Sequence, residues 1–370
     1  MPPSDFVKRR AGVIVLCLAG IAFNTFIFGP SLEITAEGTN DFMSIYSGTH
    51  LAFTSGMYDL AANLGVQRAT AGWENINKLF LRLPFDAVLM WPLGRLPFLL
   101  ASHVWEVLVV ATLIAFCFMW PGDRAAAAMA CSWSYPAYHV FANGQDVGIL
   151  LLMVAASLRA MQNRRDEKAG ALFTLCAIKY HLFFLTPLPV LRHRRWRFVR
   201  GVAIGGAVLA AVSFAAGGWN WPAKYLRLVS NPISNPKASE MPSIHGLTAG
   251  LAHSGFWEAA GIVAVVALAW RAVRRGGFEY GFAAALVGGI LVAPHVYLSD
   301  CAMMLPALLI TLPLAGAEWQ RYFHMLLFSP VSTIGVLLGP AWVTAVLLLL
   351  YMATVAFGPI AERRISHGTA

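Results

Sequence analysis

Charge is what this chain has least of. Only 12% of its 370 residues are Asp, Glu, Lys or Arg, about half the share of an average soluble protein. A water-soluble globule of this length would lack the polar residues to cover its own surface, so the soluble, fibrous and disordered classes are excluded. Cysteine is scarce as well. Cys17, Cys117, Cys131, Cys176 and Cys301 all sit inside or at the edge of apolar runs, with no C-x-x-C spacing, and read as small packing residues. The sequence holds no Walker A pattern, no HExxH and no GxSxG, which removes the usual phosphate-loop, zinc-protease and hydrolase signatures. It also lacks any Asp-x-Asp pair, the chelating signature usual in enzymes that use nucleotide sugars. An enzyme built on this chain more naturally draws on a membrane-borne activated donor.

What remains is apolar: 58% of residues, gathered in continuous stretches. A hydrocarbon core about 30 Å thick is crossed by roughly 20 apolar residues in a helix. A β-barrel would need alternation over short segments instead. The expected fold is therefore an all-α polytopic membrane protein. Its runs are Ala11–Gly29, Phe98–Trp120, Ala125–Ala142, Asp146–Gln162, a Pro-interrupted stretch Ala169–Leu191, Val199–Gly217, Phe256–Trp270, Tyr280–Leu298, Cys301–Ala317, Tyr322–Leu338 and Ala341–Gly358. The first run has no small-x-small cleavage site and reads as a retained helix.

The formal charge of +9 does not point to nucleic acid, because the bases lie in short loops between apolar runs. The positive-inside rule places Lys8–Arg10, Arg159/Arg164/Arg165/Lys168, Arg192–Arg200, Arg271–Arg275 and Arg363–Arg364 in the cytoplasm, with both termini. Residues 169–191 then have both ends inside, which predicts a re-entrant hairpin of two half-helices broken near Lys179–His181. Non-helical backbone at that depth survives only where it is buried in protein or lines a polar cavity. The count of full spans becomes about ten. Residues 30–97 form a first outer loop and 218–255 a second. The outer face then carries ten acids and seven bases and the inner face seven acids and nineteen bases, with Lys179 and Glu106 left within the membrane. Leu83–Pro97, short and rich in Pro, reads as an outer interfacial element. The whole chain, 1–370, is expected to be one integral membrane domain.

Candidate chemistry gathers where polar residues meet the outer ends of these runs. Asn40 or Thr39 is placed to cap a helix starting near Asp41, so Asp41 either complements the helix dipole or stands ready as a reactive carboxylate. Asn143-Gly144-Gln145-Asp146 forms a tight polar turn between two runs. Lys179-Tyr180-His181 puts an ionisable group inside an apolar stretch, a functional-site hypothesis by default. Its ammonium either snorkels to an interface or holds a lipid-linked phosphate. Pro294-His295-Val296-Tyr297-Leu298-Ser299-Asp300 collects His, Tyr and Asp at one helix end. His103 and Glu106, one turn apart, are placed to satisfy each other.

In this order the motifs resemble glycosyltransferase family 87, of the GT-C superfamily of membrane glycosyltransferases that use polyprenyl-phosphate sugars. The resemblance rests on Asp41-Phe42, Tyr46, Gly56-Met57-Tyr58-Asp59, Leu83-Pro84-Phe85, Trp91-Pro92-Leu93-Gly94-Arg95-Leu96-Pro97, Asn143-Gly144-Gln145, the Lys179 hairpin ending in Arg194-Arg195-Trp196-Arg197, and Pro294-His295-Val296-Tyr297 with Asp300. The chain departs from the family pattern in having Leu83-Pro84-Phe85 where a Tyr-Pro-Pro-like element is common, and Tyr180 after the lysine where Pro or Gly-Pro is common. The resemblance implies a GT-C-like bundle with interfacial helices in the first outer loop. It implies Asp41 as the catalytic carboxylate. The mechanism expected on that footing has Lys179, helped by His181 or His295, holding the donor phosphate, and Tyr58, Asn143, Gln145, Tyr297 and Asp300 as partners of sugar or acceptor. The expected reaction moves a hexose such as mannose from a polyprenyl-phosphate sugar to a lipid or glycan acceptor at the outer face of the plasma membrane. The lipid-linked sugar is a substrate, and no cofactor, metal or nucleic-acid partner is expected. The rival reading, a transporter or flippase of a lipid-linked or small polar solute, would use the same intramembrane Lys179 and Glu106 and the same broken helix.

Overall fold

In lipid every backbone N–H and C=O has to be paired within its own segment, so continuous apolar runs fold as helices. The computed structural model describes residues 3–38, 40–71, 78–234, 237–329 and 341–361. Its helices are α1 (Pro3–Phe28), α2 (Pro30–Ala36), α3 (Phe42–Leu51), α4 (Leu60–Ala71), α5 (Pro84–Leu89), α6 (Phe98–Met119), α7 (Arg124–Trp133), α8 (Tyr135–Ala142), α9 (Val147–Gln162), α10 (Asp166–Phe173), α11 (Pro187–Arg192), α12 (Trp196–Gly217), α13 (Trp221–Val229), α14 (Ile244–Thr248), α15 (Ser254–Arg275), α16 (Phe278–Val292), α17 (Met304–Thr311), α18 (Glu318–Phe328) and α19 (Ala341–Phe357). Among the described residues, four stretches are long and apolar enough to cross a membrane: Arg10–Phe28, Phe98–Met119, Trp196–Gly217 and Ser254–Arg275. Shorter apolar helices cover Val147–Gln162, Phe278–Val292, Leu298–Leu314 and Ala341–Phe357. The long ones turn large apolar side chains outward, among them Val15, Leu18, Val107, Phe118, Val208 and Val263. That surface fits a hydrocarbon solvent and not water. The chain is an all-α, multi-pass membrane protein.

Not every apolar run is one rod. Residues 125–142 are two helices, α7 and α8, parted at Ser134. Its backbone is extended and its hydroxyl accepts from the Ala137 N–H, with Pro136 in the first turn of α8. This is a helix start written inside an apolar run. In the stretch 169–191, α10 passes into a 3-10 segment Thr174–Phe183, and the helical path breaks at Lys179 (φ −127°, ψ 60°). The Leu83–Pro97 segment holds α5 and a 3-10 turn Leu93–Arg95, with the Arg95 guanidinium 4.2 Å over the Trp91 ring. Thr39, the run beyond Ser329 up to Leu338 and the tail Arg363–Arg364 lie outside the described residues.

The chain divides into two compact units. The first comprises residues 1–180, 195–238 and 297–302. Here α10 and α12 approach so closely that a Cβ on Gly170 would stand 2.1 Å from the Phe198 carbonyl oxygen, and one on Gly201 would stand 2.0 Å from the Glu167 carbonyl oxygen. Paired glycines let two helix backbones touch where lipid gives little drive to bury side chains. On the segment between α1 and α6, α5 docks on α12 through the Phe85 N–H, which donates to Ser213 Oγ at 3.2 Å. The second unit comprises residues 181–194, 239–296 and 303–370. In it Arg271 and Arg275 at the end of α15 donate to the Ala356 carbonyl at 3.0 and 2.5 Å, closing the last turn of α19. A polar set made of the buried Thr311, His324 and Tyr351 and the half-buried Thr354 ties α17, α18 and α19 together.

Candidate active site

The polar turn after α8 is the floor of the site in the first unit. Gly144 adopts φ +58°, and a Cβ there would lie 2.8 Å from Asn40 Oδ1, so both conformation and space call for glycine. Three elements grip this turn. Thr35 Oγ1 on α2 donates to the Ala142 carbonyl at 2.7 Å, Trp105 Nε1 on α6 donates to the Gly144 carbonyl at 2.7 Å, and the Asp41 N–H donates to the Asn143 carbonyl at 3.1 Å. The start of α3 is thereby docked on the turn that carries Gln145 and Asp146.

Asp41 is the residue before α3, yet its carboxylate caps nothing. Asn40 Oδ1 accepts from the Phe42 N–H at 3.0 Å instead. The Asp41 side chain faces the site: Oδ1 takes Lys78 Nζ at 2.5 Å, and Oδ2 accepts from Gln145 Nε2. Gln145 uses its other end to accept from Lys179 Nζ at 2.8 Å. Lys179 stands at the helix break and donates to Asp300 Oδ1 at 2.6 Å, with Asp146 Oδ1 at 3.6 Å. Asp300 is held in turn by the Tyr297 N–H, 2.8 Å from its Oδ2. Arg82 closes the set: Nε donates to Asp146 Oδ2 at 2.5 Å and Nη1 to Ser44 Oγ at 2.7 Å. Asp86 Oδ2 lies 3.5 Å from Arg82 Nε, and neither Asp86 oxygen has a hydrogen-bond partner among the described residues.

Among the described residues the cluster thus holds four carboxylates (Asp41, Asp86, Asp146, Asp300) and three cations (Lys78, Arg82, Lys179). Lys179 and Arg82 are almost wholly buried, whereas the Lys78 side chain is 38% exposed and that of Asp41 20%. Burial pushes the Asp86 carboxyl up to about 7, the neighbouring charge of Asp146 pushes the same way, and Arg82 and Lys179 pull against them. The Arg82 guanidinium is held firmly in its charged form: Asp146 and Asp86 outweigh the cost of its burial.

The residues singled out in the sequence fall into three groups. Asp41, Gln145, Lys179 and Asp300 meet in one hydrogen-bonded chain. Asn143, Tyr58 and Tyr297 support it from behind. Asn143 offers its carbonyl to Asp41 and packs its amide 2.8 Å from His139 Nε2. The Tyr58 hydroxyl donates to the Arg82 carbonyl at 2.7 Å, and burial pushes that phenol up. Tyr297 holds Asp300 through its backbone. His181 and His295 belong to the second unit, where their rings meet edge to face with centroids 6.4 Å apart. Lys179, expected as a partner of the donor phosphate, donates from its ammonium to Gln145 and Asp300 and so fixes the Gln145 amide. His103 and Glu106 pair as expected, at 3.1 Å.

Lys78, Arg82, Asp86 and Ser44 were missed. One signal was available: Lys78 and Arg82 are bases in a loop that the charge rule assigns to the base-poor face, so each needs a local reason to be there. Among the described residues, no three His, Cys, Asp or Glu side chains converge as a metal site.

No curated protein and no solved structure matches the chain. The model of glycosyltransferase family 87 matches residues 80–298, a span that includes Arg82, Asp86, Gln145, Asp146, Lys179, His181 and His295 and leaves Asp41, Lys78 and Asp300 outside it. The match covers more than half of the chain, which therefore belongs to glycosyltransferase family 87.

Proposed function

We propose that this family 87 glycosyltransferase moves a hexose, with mannose the first candidate, from a polyprenyl-phosphate sugar to a lipid or glycan hydroxyl at the outer face of the plasma membrane. Asp41 is the general base. The acceptor oxygen attacks the anomeric carbon from the face opposite the phosphate. Its proton passes to an Asp41 oxygen, the bond from the anomeric carbon to the phosphate oxygen breaks, and its electron pair leaves on the polyprenyl phosphate. One carboxylate suffices for such a single inverting displacement. The lipid phosphate is already a good leaving group, so no covalent enzyme intermediate is needed.

The observation that carries this reading is the environment of Asp41. The carboxylate is drawn away from its own helix end and into a charged cluster, where Gln145 fixes its orientation and Lys179 and Asp300 fix Gln145. A base held from one side by a buried amide keeps a defined aim. The cations of the cluster supply positive potential where a leaving phosphate gains charge. Lys179, helped by His181 or His295, remains a proposed partner of that phosphate.

The test is incubation of the purified protein with a panel of radiolabelled polyprenyl-phosphate sugars and a lipid extract. Label should pass to a lipid or glycan product in detergent, without a sealed compartment. Failure of every lipid-phosphate donor, with a nucleotide sugar turned over instead, would overturn the donor assignment. Vectorial movement in vesicles with no covalent product would favour the transporter.

A further inference from the structure

Three features argue that Lys78 does more than neutralise Asp41. First, of the three cations in the cluster it is the one within reach of an incoming molecule: its side chain is 38% exposed, against 8% for Lys179 and 10% for Arg82. Second, its ammonium sits on Asp41 Oδ1 at 2.5 Å while Gln145 occupies Oδ2, so both oxygens of the base are engaged. Each oxygen keeps one further lone-pair site, so an acceptor hydroxyl meets the base beside one of these donors and has to share an oxygen with it until that donor moves. Gln145 is buried and held by Lys179, which leaves Lys78 as the partner that can move. Third, only its side chain is free to move. The backbone of Lys78 is clamped by both ends of the buried Gln67 amide: Gln67 Nε2 donates to the Lys78 carbonyl at 2.8 Å, and the Lys78 N–H lies 3.4 Å from Gln67 Oε1. A fixed Cα bearing a flexible four-carbon stem with a hydrated point charge is a swinging contact.

We propose that Lys78 is a substrate-operated latch. In the empty site it holds the base, and the phosphate of the lipid-linked donor draws its ammonium away, so that Lys78 binds the phosphate and Asp41 Oδ1 is opened to the acceptor in the same movement. A lysine suits the task because it meets phosphate as a point charge with rotatable donors. The latch ties base exposure to donor binding. It rests on the reading that the donor is a polyprenyl-phosphate sugar, and it names a further donor-binding residue for that reaction.

The test is a binding measurement on the purified full chain, by microscale thermophoresis, with farnesyl phosphate standing for the leaving group and inorganic phosphate as a second arm. Lys78→Gln should bind farnesyl phosphate at least 10-fold more weakly than the wild type, and Lys78→Arg should recover most of the loss. Asp41→Asn removes the competing carboxylate, so it should bind farnesyl phosphate about 5-fold more tightly than the wild type. Loss of a neighbouring negative charge favours an anion by itself, so the gain supports the latch only together with the loss in Lys78→Gln, and an absent gain overturns it even if Lys78→Gln does not fold. Unchanged binding in Lys78→Gln, no tightening in Asp41→Asn, no binding by the wild type, or a tightening confined to inorganic phosphate would each overturn the latch. The two ideas fail separately. If the wild type turns over no polyprenyl-phosphate sugar, the functional reading falls. If it does so while Asp41→Asn gains no affinity, only the latch falls.

Discussion

Asp86 offers the sharpest physical test of the charged cluster, because its consequence is thermodynamic and needs no substrate. The carboxyl is fully buried, its oxygens have no hydrogen-bond partner among the described residues, and it is raised from 3.8 to about 7. Between those values the folded chain keeps a proton that the unfolded chain has released. Folding stability therefore falls as pH rises through that window, and above neutrality the full cost is present. The interval from 3.8 to about 7, at roughly 1.4 kcal/mol per pH unit, comes to about 4 kcal/mol. Asp86→Asn replaces the acid by a neutral side chain of the same shape and removes the titration. The variant should match the wild type near pH 4 and exceed it by several kcal/mol at pH 8, a rise of about 5 °C in melting temperature for a chain of this length. Intrinsic tryptophan fluorescence during heating, at half-unit steps from pH 4 to pH 8.5 in one detergent, measures the difference directly. A gap that stays constant with pH, or an Asn variant less stable than the wild type at pH 8, would refute the reasoning and mean that Asp86 is ionised against Arg82.

Two further predictions follow from the same geometry. Lys179→Ala leaves Asp300 and Gln145 without their cation and Asp146 with Arg82 alone. Loss of one member of a buried ion cluster costs about 3–5 kcal/mol, so the variant should melt several degrees lower and lose activity with it, as read by thermal unfolding and donor turnover together. Gly201→Val places a side chain 2.0 Å from the Glu167 carbonyl oxygen, a backbone atom that cannot step aside. The α10–α12 contact has to open, and the folded fraction after detergent extraction, read by size exclusion, should fall sharply while Gly206→Val, facing open space, remains like the wild type.

The limits of reading this chain from its sequence are physical. Apolar length alone disclosed α1, α6, α12 and α15, because a bilayer imposes length and composition on whatever crosses it. The break near Lys179 was legible from charge: basic clusters at both ends of residues 169–191 place both ends on one face, so the stretch has to turn back. The parting of α7 from α8 was written as Ser134-Tyr135-Pro136 but masked by the hydrophobicity around it. Asp41, Gln145 and Asp300 stood out because each is polar at the margin of an apolar run. Arg82 and Asp86 did not, because nothing local in the short Pro-rich element at Leu83–Pro97 or just before it names their partners. What defines Arg82 is Asp146, 64 residues away, and Lys78 is defined by Asp41, 37 residues away. Such pairings depend on tertiary folding, which local spacing does not encode. Lys179 shows the converse: its importance was visible, while its task depended on which carboxylates the fold brings to it.

The account stands or falls on Asp41. The decisive measurement is the rate of sugar transfer from a polyprenyl-phosphate donor by Asp41→Asn, purified and shown by thermal unfolding to be as folded as the wild type. Loss of a positioned general base predicts a fall in kcat of about 10²–10⁴-fold, with the donor still bound. Transfer at the wild-type rate would contradict it.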